Sequence, residues 1–155
     1  MPESPMKNIF DPSVTEELAR RIGALTPETR PLWGKMNAAQ VLAHLCVSYE
    51  MVYDDRHPKP GPVLRFLLRA FVKRAVVGEK TYPRSSRTAP AFVIADERDF
   101  EEERVRLLSF LERTRALGPE AFEGRESLSF GPLTTAEWNN LFYKHLDHHL
   151  TQFGV

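Results

Sequence analysis

Apolar positions along the chain recur every three or four residues in several long windows, the periodicity of helices with one buried face. Val14, Leu18, Ile22 and Leu25 follow Asp11-Pro12, an N-cap and a proline suited to a first helical turn, and predict a helix ending near Leu25. Asn37 is placed to cap a second helix, AAQVLAHLCVSYEMVYDD, which stops before the proline-rich HPKPGP. Pro62 opens a third helical stretch, ended by Gly78. Its Leu64, Leu67, Leu68, Phe71, Val72 and Ala75 form one apolar stripe, with Arg65, Arg69, Lys73 and Arg74 on a solvated face. Asp96 is placed to cap a further helix through Phe100, Arg104, Leu107, Leu108 and Leu111, closed by Gly118-Pro119. Thr134 to Glu137 spells a capping box that starts the last helix. Strand signal is weak, and residues 79–95 read as a long irregular segment of the kind that often carries function. The pattern predicts an all-α helical bundle.

The 155 residues suit one domain, 1–155, with residues 1–7 expected to be disordered. The 21 basic and 21 acidic side chains cancel, so no net field draws the whole chain to nucleic acid or to an anionic membrane, and neither partner is expected. The most apolar run, 63–77, is short and interrupted by four cations, which argues against a bilayer span. A single cysteine, Cys46, excludes an intrachain disulfide and a cysteine-based zinc site; its place on the apolar side of its helix reads as packing. MPESPMKNIF lacks the apolar core of a signal peptide. These features lead us to expect a cytoplasmic protein.

The chemistry-bearing residues crowd at the end of the chain, in KHLDHHLTQFGV. With His145 as zero, Gln152 falls at about −20°, Trp138 at about +20°, His149 at about +40° and Phe142 at about +60° around the helix axis. His145 and His149 thus share the apolar stripe, and His148, at about −60°, lies at its margin. Lys144, Asp147, Asn140 and Thr151 fall on the other face. Residues four apart on a helix are neighbours, so two imidazoles at this spacing can chelate one ion. The same pair also fits two hydrogen-bonded core histidines or a pH-sensitive helix end. No HExxH glutamate is present, which argues against a zincin. A third donor is needed, and His44 and His57 remain; His57 lies in the loop HPKPGP. His44 sits at the rim of the second helix's apolar face, about 110° from the centre set by Ala38, Val41, Leu45, Tyr49 and Val52 and close to Ser48.

WGKMNAAQVLAHL, Trp33 to Leu45, and FGPLTTAEWNNLFYKHLDHHLTQFG, Phe130 to Gly154, resemble the DinB/YfiT-like superfamily of metalloenzymes, in particular one of its branches of unknown function. The likeness extends more loosely across most of the chain, including YPRSSRTAP. It implies an up-and-down four-helix bundle, here with an additional short helix and long loops, often dimeric, so a homodimer is expected. It also implies a divalent metal held by one histidine of the second helix and two of the last: His44, His145 and His149. His148 then stands where such motifs often carry a histidine that is not a ligand.

Three neutral imidazoles leave the ion's charge uncompensated and at least one coordination position open. Zinc in such a site brings a bound water to a pKa of about 7, and an incoming thiolate is the other nucleophile such a centre can activate. Zinc, nickel and iron all suit the donor set. The resemblance favours a transferase using a low-molecular-weight thiol, with a hydrolase as the other enzyme class; a non-catalytic metal- or small-ligand-binding module, stress-related, is the alternative. The expected partner is a small-molecule substrate or thiol. Gln152 is the leading candidate for orienting a ligand, with Ser48, Trp138 and His148 as further second-shell or pocket residues. Trp33 is a candidate pocket wall. Arg84 and Arg87, in the long loop, are candidates for holding a substrate carboxylate. Glu50 and Asp54 are expected to be solvated, and no general base is assigned.

Overall fold

A computed structural model of the chain describes residues 6–84, 86 and 88–155. Residues 1–5 of the segment expected to be disordered lie outside the described residues. Lys7 is tied to the first helix by an ion pair with Glu17 at 2.7 Å.

The described chain is mostly helical. In order it forms α1 (Pro12–Gly23), α2 (Ala38–Tyr53), α3 (Pro62–Leu67), a π-helical turn (Leu68–Val72), α4 (Lys73–Val77), α5 (Phe100–Leu117), strands β1 (Arg125–Ser127) and β2 (Gly131–Leu133), and α6 (Thr135–Gln152). Helix α2 packs on α5 and α6, and α1 packs on the same two. Their shared core includes Leu18, Leu42, Leu45, Leu107, Leu111, Phe142 and Leu146, each almost wholly removed from water and worth about 1.5–3 kcal/mol. Phe142 stacks on Tyr49, with ring centroids 4.7 Å apart, and on Trp138 at 5.6 Å.

Local signals set most helix ends. Asp11 accepts from the Ser13 N–H at the start of α1, and Asn37 and Thr134 each form a complete capping box. The start of α5 differs from expectation. Asp99, not Asp96, is its cap and accepts from the Glu102 N–H, while Asp96 pairs with Arg98 at 2.9 Å. The antiparallel hairpin β1–β2 was not foreseen, since strands of three residues carry too short an alternation to read.

The stretch 62–77 also departs from its pattern. A π turn divides it, and Leu64, Leu67 and Phe71 of its apolar stripe are 52%, 43% and 78% exposed. Two of the four cations turn inward instead, while Arg69 and Arg74 stay exposed as expected. Arg65 donates to the carbonyls of Ser127 and Leu128 and pairs with Glu126, and Lys73 approaches Glu137 at 3.5 Å. The C-terminal part, α4, packs on α6. That contact covers part of the α6 face opposite its apolar stripe. Asn140 donates to the Val77 carbonyl, and the buried Lys144 ammonium donates to the carbonyls of Ala75 and Lys80, each at 2.9 Å.

Candidate metal centre

The last helix is pinned at both ends before it presents any chemistry. Thr134 and Glu137 cap its start. Near its end, Arg21 of α1 pairs with Asp147 at 2.8 Å and donates to the Val155 carbonyl at 3.0 Å. Between them the four-residue spacing sets the rings of His145 and His149 with centroids 5.0 Å apart. His44 arrives from the second turn of α2. Its Nε2 lies 2.9 Å from His149 Nε2 and 2.9 Å from His145 Nε2. The ligating nitrogens of all three residues fall within 4.8 Å of one another.

Each ring is held from behind. His44 Nδ1–H donates to the Phe92 carbonyl at 2.8 Å. His145 Nδ1 meets the Ser48 hydroxyl at 3.0 Å. His149 Nδ1–H donates to Gln152 Oε1 at 2.6 Å, and Gln152 Nε2–H donates in turn to the Trp33 carbonyl at 2.7 Å. This last bond fixes which end of the Gln152 amide is oxygen. It follows that His149 carries its proton on Nδ1, and His44 must do the same to reach a carbonyl. Both therefore turn a bare Nε2 lone pair toward the other across 2.9 Å.

Two facing lone pairs repel unless positive charge sits between or beside them. A proton is a poor solution. Burial holds His145 well below the ordinary histidine range, with the other rings adding to the effect, and it pulls His149 down to about 3, reinforced by His44. His44 is lowered by burial too, partly opposed by its bond to Phe92. Three neutral donors aimed at one point suit a divalent cation. Tetrahedral placement at metal–nitrogen distances of about 2.0–2.1 Å needs nitrogens about 3.3 Å apart, so the close pairs would open by about 0.4 Å. His44 is 4% exposed, whereas His145 and His149 keep partial access to solvent, which leaves an approach to the centre.

The remaining candidates divide. Gln152 and Ser48 touch the triad. His148 stays outside it but forms a wall: its ring lies 4.9 Å from His149, 5.8 Å from Trp33 and 5.7 Å from Tyr82. The Arg84 guanidinium carbon lies over the Trp33 ring, 4.2 Å from its centre. Arg87 lies outside the described residues. Trp138 is not brought to the histidines; it is 3% exposed in the core, with Nε1–H donating to the Arg125 carbonyl at 3.3 Å. His57 stays in its loop, 3.2 Å from Glu50. Glu50 itself is buried rather than solvated, because Arg106 bridges it at 2.9 Å to Glu103 at 2.7 Å across α2 and α5. Asp54 pairs with Arg56 at 2.9 Å. Cys46 is fully buried, and burial pushes its thiol up to about 12, so it takes no part in nucleophilic chemistry.

Three contributors escaped the sequence reading. The Phe92 and Trp33 carbonyls are backbone groups with no residue signature. Gly34 has φ +87°, and a Cβ there would lie 2.5 Å from Gln152 Nε2, so a side chain at this position would press on the amide that orients His149. Only the WG pair ahead of the second helix hinted at it.

Among the described residues no helix is long and apolar enough to cross a membrane. Residues 12–154 match a family model described as protein of unknown function (DUF1569). No curated protein and no solved structure matches the chain.

Proposed function

Since the chain belongs to the DUF1569 family, whose description carries no activity, we propose a function from the site itself: a divalent-metal-dependent enzyme of the DinB/YfiT-like kind. His44, His145 and His149 hold the ion, which is zinc, nickel or iron. The observation that carries this reading is the 2.9 Å approach of two Nε2 lone pairs whose rings are both committed through Nδ1. The packing of α1 and of α2 on both α5 and α6 supports a four-helix bundle as the frame, which we read as the up-and-down type.

Bound with an open coordination position, a divalent ion supplies Lewis acidity to an oxygen or sulfur ligand. The chain's own groups do the rest. Phe92, Ser48 and Gln152 fix the tautomer and aim of the rings, which lowers the reorganisation needed on binding. The absence of a carboxylate from the triad leaves the ion's full charge to act on a substrate. Trp33, Tyr82 and His148 wall the ground beside His149. The two reaction classes that fit are transfer of a low-molecular-weight thiol to an electrophile and hydrolysis.

Metal analysis of protein purified without a histidine tag tests the centre. One divalent ion per chain is expected, lost in each of His44→Ala, His145→Ala and His149→Ala. A wild-type protein that takes up no divalent ion from any of the three metals would end the proposal. Turnover is then screened with glutathione, bacillithiol and mycothiol against electrophiles, and with simple esters and amides. A metal-loaded protein inert to all of them is a binding module instead.

A further inference from the structure

We infer that the cavity beside the three histidines receives the anionic group, a carboxylate or a phosphate, of the molecule the centre acts on, with Arg84 as its principal donor. This deepens the metal-site reading above and rests on it. The cavity measures about 190 Å³, and its wall includes Trp33, Tyr82, Arg84, Lys144 and His148. Such a volume suits one functional group rather than a whole ligand, for which several hundred Å³ is usual.

Arg84 is the feature that selects an anion. Its guanidinium carbon lies 4.2 Å over the centre of the Trp33 ring, an aromatic platform that holds the charge at the cavity and uses up none of its N–H donors. It takes no part in the ion pairs found among the described residues. A planar guanidinium on an aromatic platform is the usual partner of a two-oxygen anion. Lys144 adds a second positive charge. Its ammonium is spent on two carbonyls and sits 4.4 Å over the Tyr82 ring, so it contributes field more than hydrogen bonds. Two acidic residues also border the cavity. Asp147 is paired with Arg21, and Glu79 is exposed at the rim, where solvent and salt screen it.

The cavity is joined to the centre by contacts as well as by proximity. His148 is the shared wall, its ring edge-on to Trp33, Tyr82 and His149. Trp33, the platform for Arg84, also accepts through its carbonyl from the Gln152 amide that holds His149. None of the three ligands lines the cavity, so an anion anchored at Arg84 lies across the His148 ring from His149, and the rest of its molecule must pass His148 to reach the centre. No ligand of the triad is anionic, so the charge of a bound divalent ion adds to that of Arg84 and Lys144.

The test is binding of inorganic phosphate and of succinate to the full chain, followed by tryptophan fluorescence and equilibrium dialysis at fixed ionic strength. It is run on metal-loaded and metal-free protein, on Arg84→Ala and on Arg84→Lys. Saturable binding of one or both anions is expected with and without metal. It should weaken at least tenfold in Arg84→Ala and recover in part in Arg84→Lys, with metal content unchanged; which anion binds tighter separates phosphate from carboxylate ligands. Arg84→Ala binding as tightly as wild type, or no saturable binding of either anion, overturns the inference. Binding that needs the metal and survives Arg84→Ala places the anion on the ion, which also overturns it while the metal reading stands. Arg84-dependent binding by a protein that never holds metal upholds the anion cavity and removes the metal reading.

Discussion

Gln152 provides the sharpest test of how the centre is built. Its side chain is 4% exposed and closes a relay, accepting from His149 Nδ1–H at 2.6 Å and donating to the Trp33 carbonyl at 2.7 Å. Gln152→Ala removes both bonds. His149 loses the partner that fixes its tautomer, and loss of such outer partners commonly weakens metal binding 10- to 100-fold, about 1.4–2.7 kcal/mol. The abandoned Trp33 carbonyl and His149 N–H add a folding cost of about 1–3 kcal/mol each where water does not reach them. Gln152→Glu separates the two effects. It keeps an acceptor against His149 Nδ1–H but sets a second oxygen against the Trp33 carbonyl, so metal affinity should be retained while stability falls. Metal dissociation constants from competition with a chromogenic chelator, beside thermal unfolding of the metal-free proteins, read both quantities. Gln152→Ala binding metal within twofold of wild type, with its fold intact, would refute the relay.

Three further outcomes follow from other parts of the structure. Gly34→Ala should weaken metal binding several-fold and destabilise the fold by about 1–2 kcal/mol, since it forces a side chain into positive φ and against the Gln152 amide; Gly23→Ala, where a Cβ meets nothing, should leave chelator competition unchanged. Protons compete with metal only where the ligands titrate, and burial has lowered all three histidines. Affinity should therefore change less than about tenfold between pH 7.5 and 5.5, whereas three ordinary histidines would lose about a thousandfold; a loss of that size in the same assay would contradict the burial argument. Arg106→Ala removes the shortest ion pairs of the buried Glu50 and Glu103, leaving Glu50 to His57 and Arg56 and Glu103 to Arg98, and should cost about 1–3 kcal/mol in denaturant unfolding, while removal of Arg115 from its exposed pair with Glu112 should not register.

Local chemistry is what the sequence determined by itself. Asp11-Pro12, Asn37 and the Thr134–Glu137 box set helix starts because a cap acts within a single turn. The four-residue spacing placed His145 and His149 on one face because helical pitch is fixed whatever surrounds it. Even so, the choice of Asp99 over Asp96 as a cap turned on where the chain bends into α5. Side-chain pattern alone did not decide which face of a helix is buried. The apolar side of 62–77 points outward because Arg65 finds the hairpin carbonyls, and Lys144 is buried because α4 and the loop after it offer carbonyls of their own. His44 looked marginal from α2 alone. It enters the site because the Phe92 carbonyl, a residue 48 positions away, grips its Nδ1 and turns Nε2 toward α6. Backbone carbonyls exist at every position and so leave no mark in a sequence; only the tertiary structure decides which of them become the supports of a site.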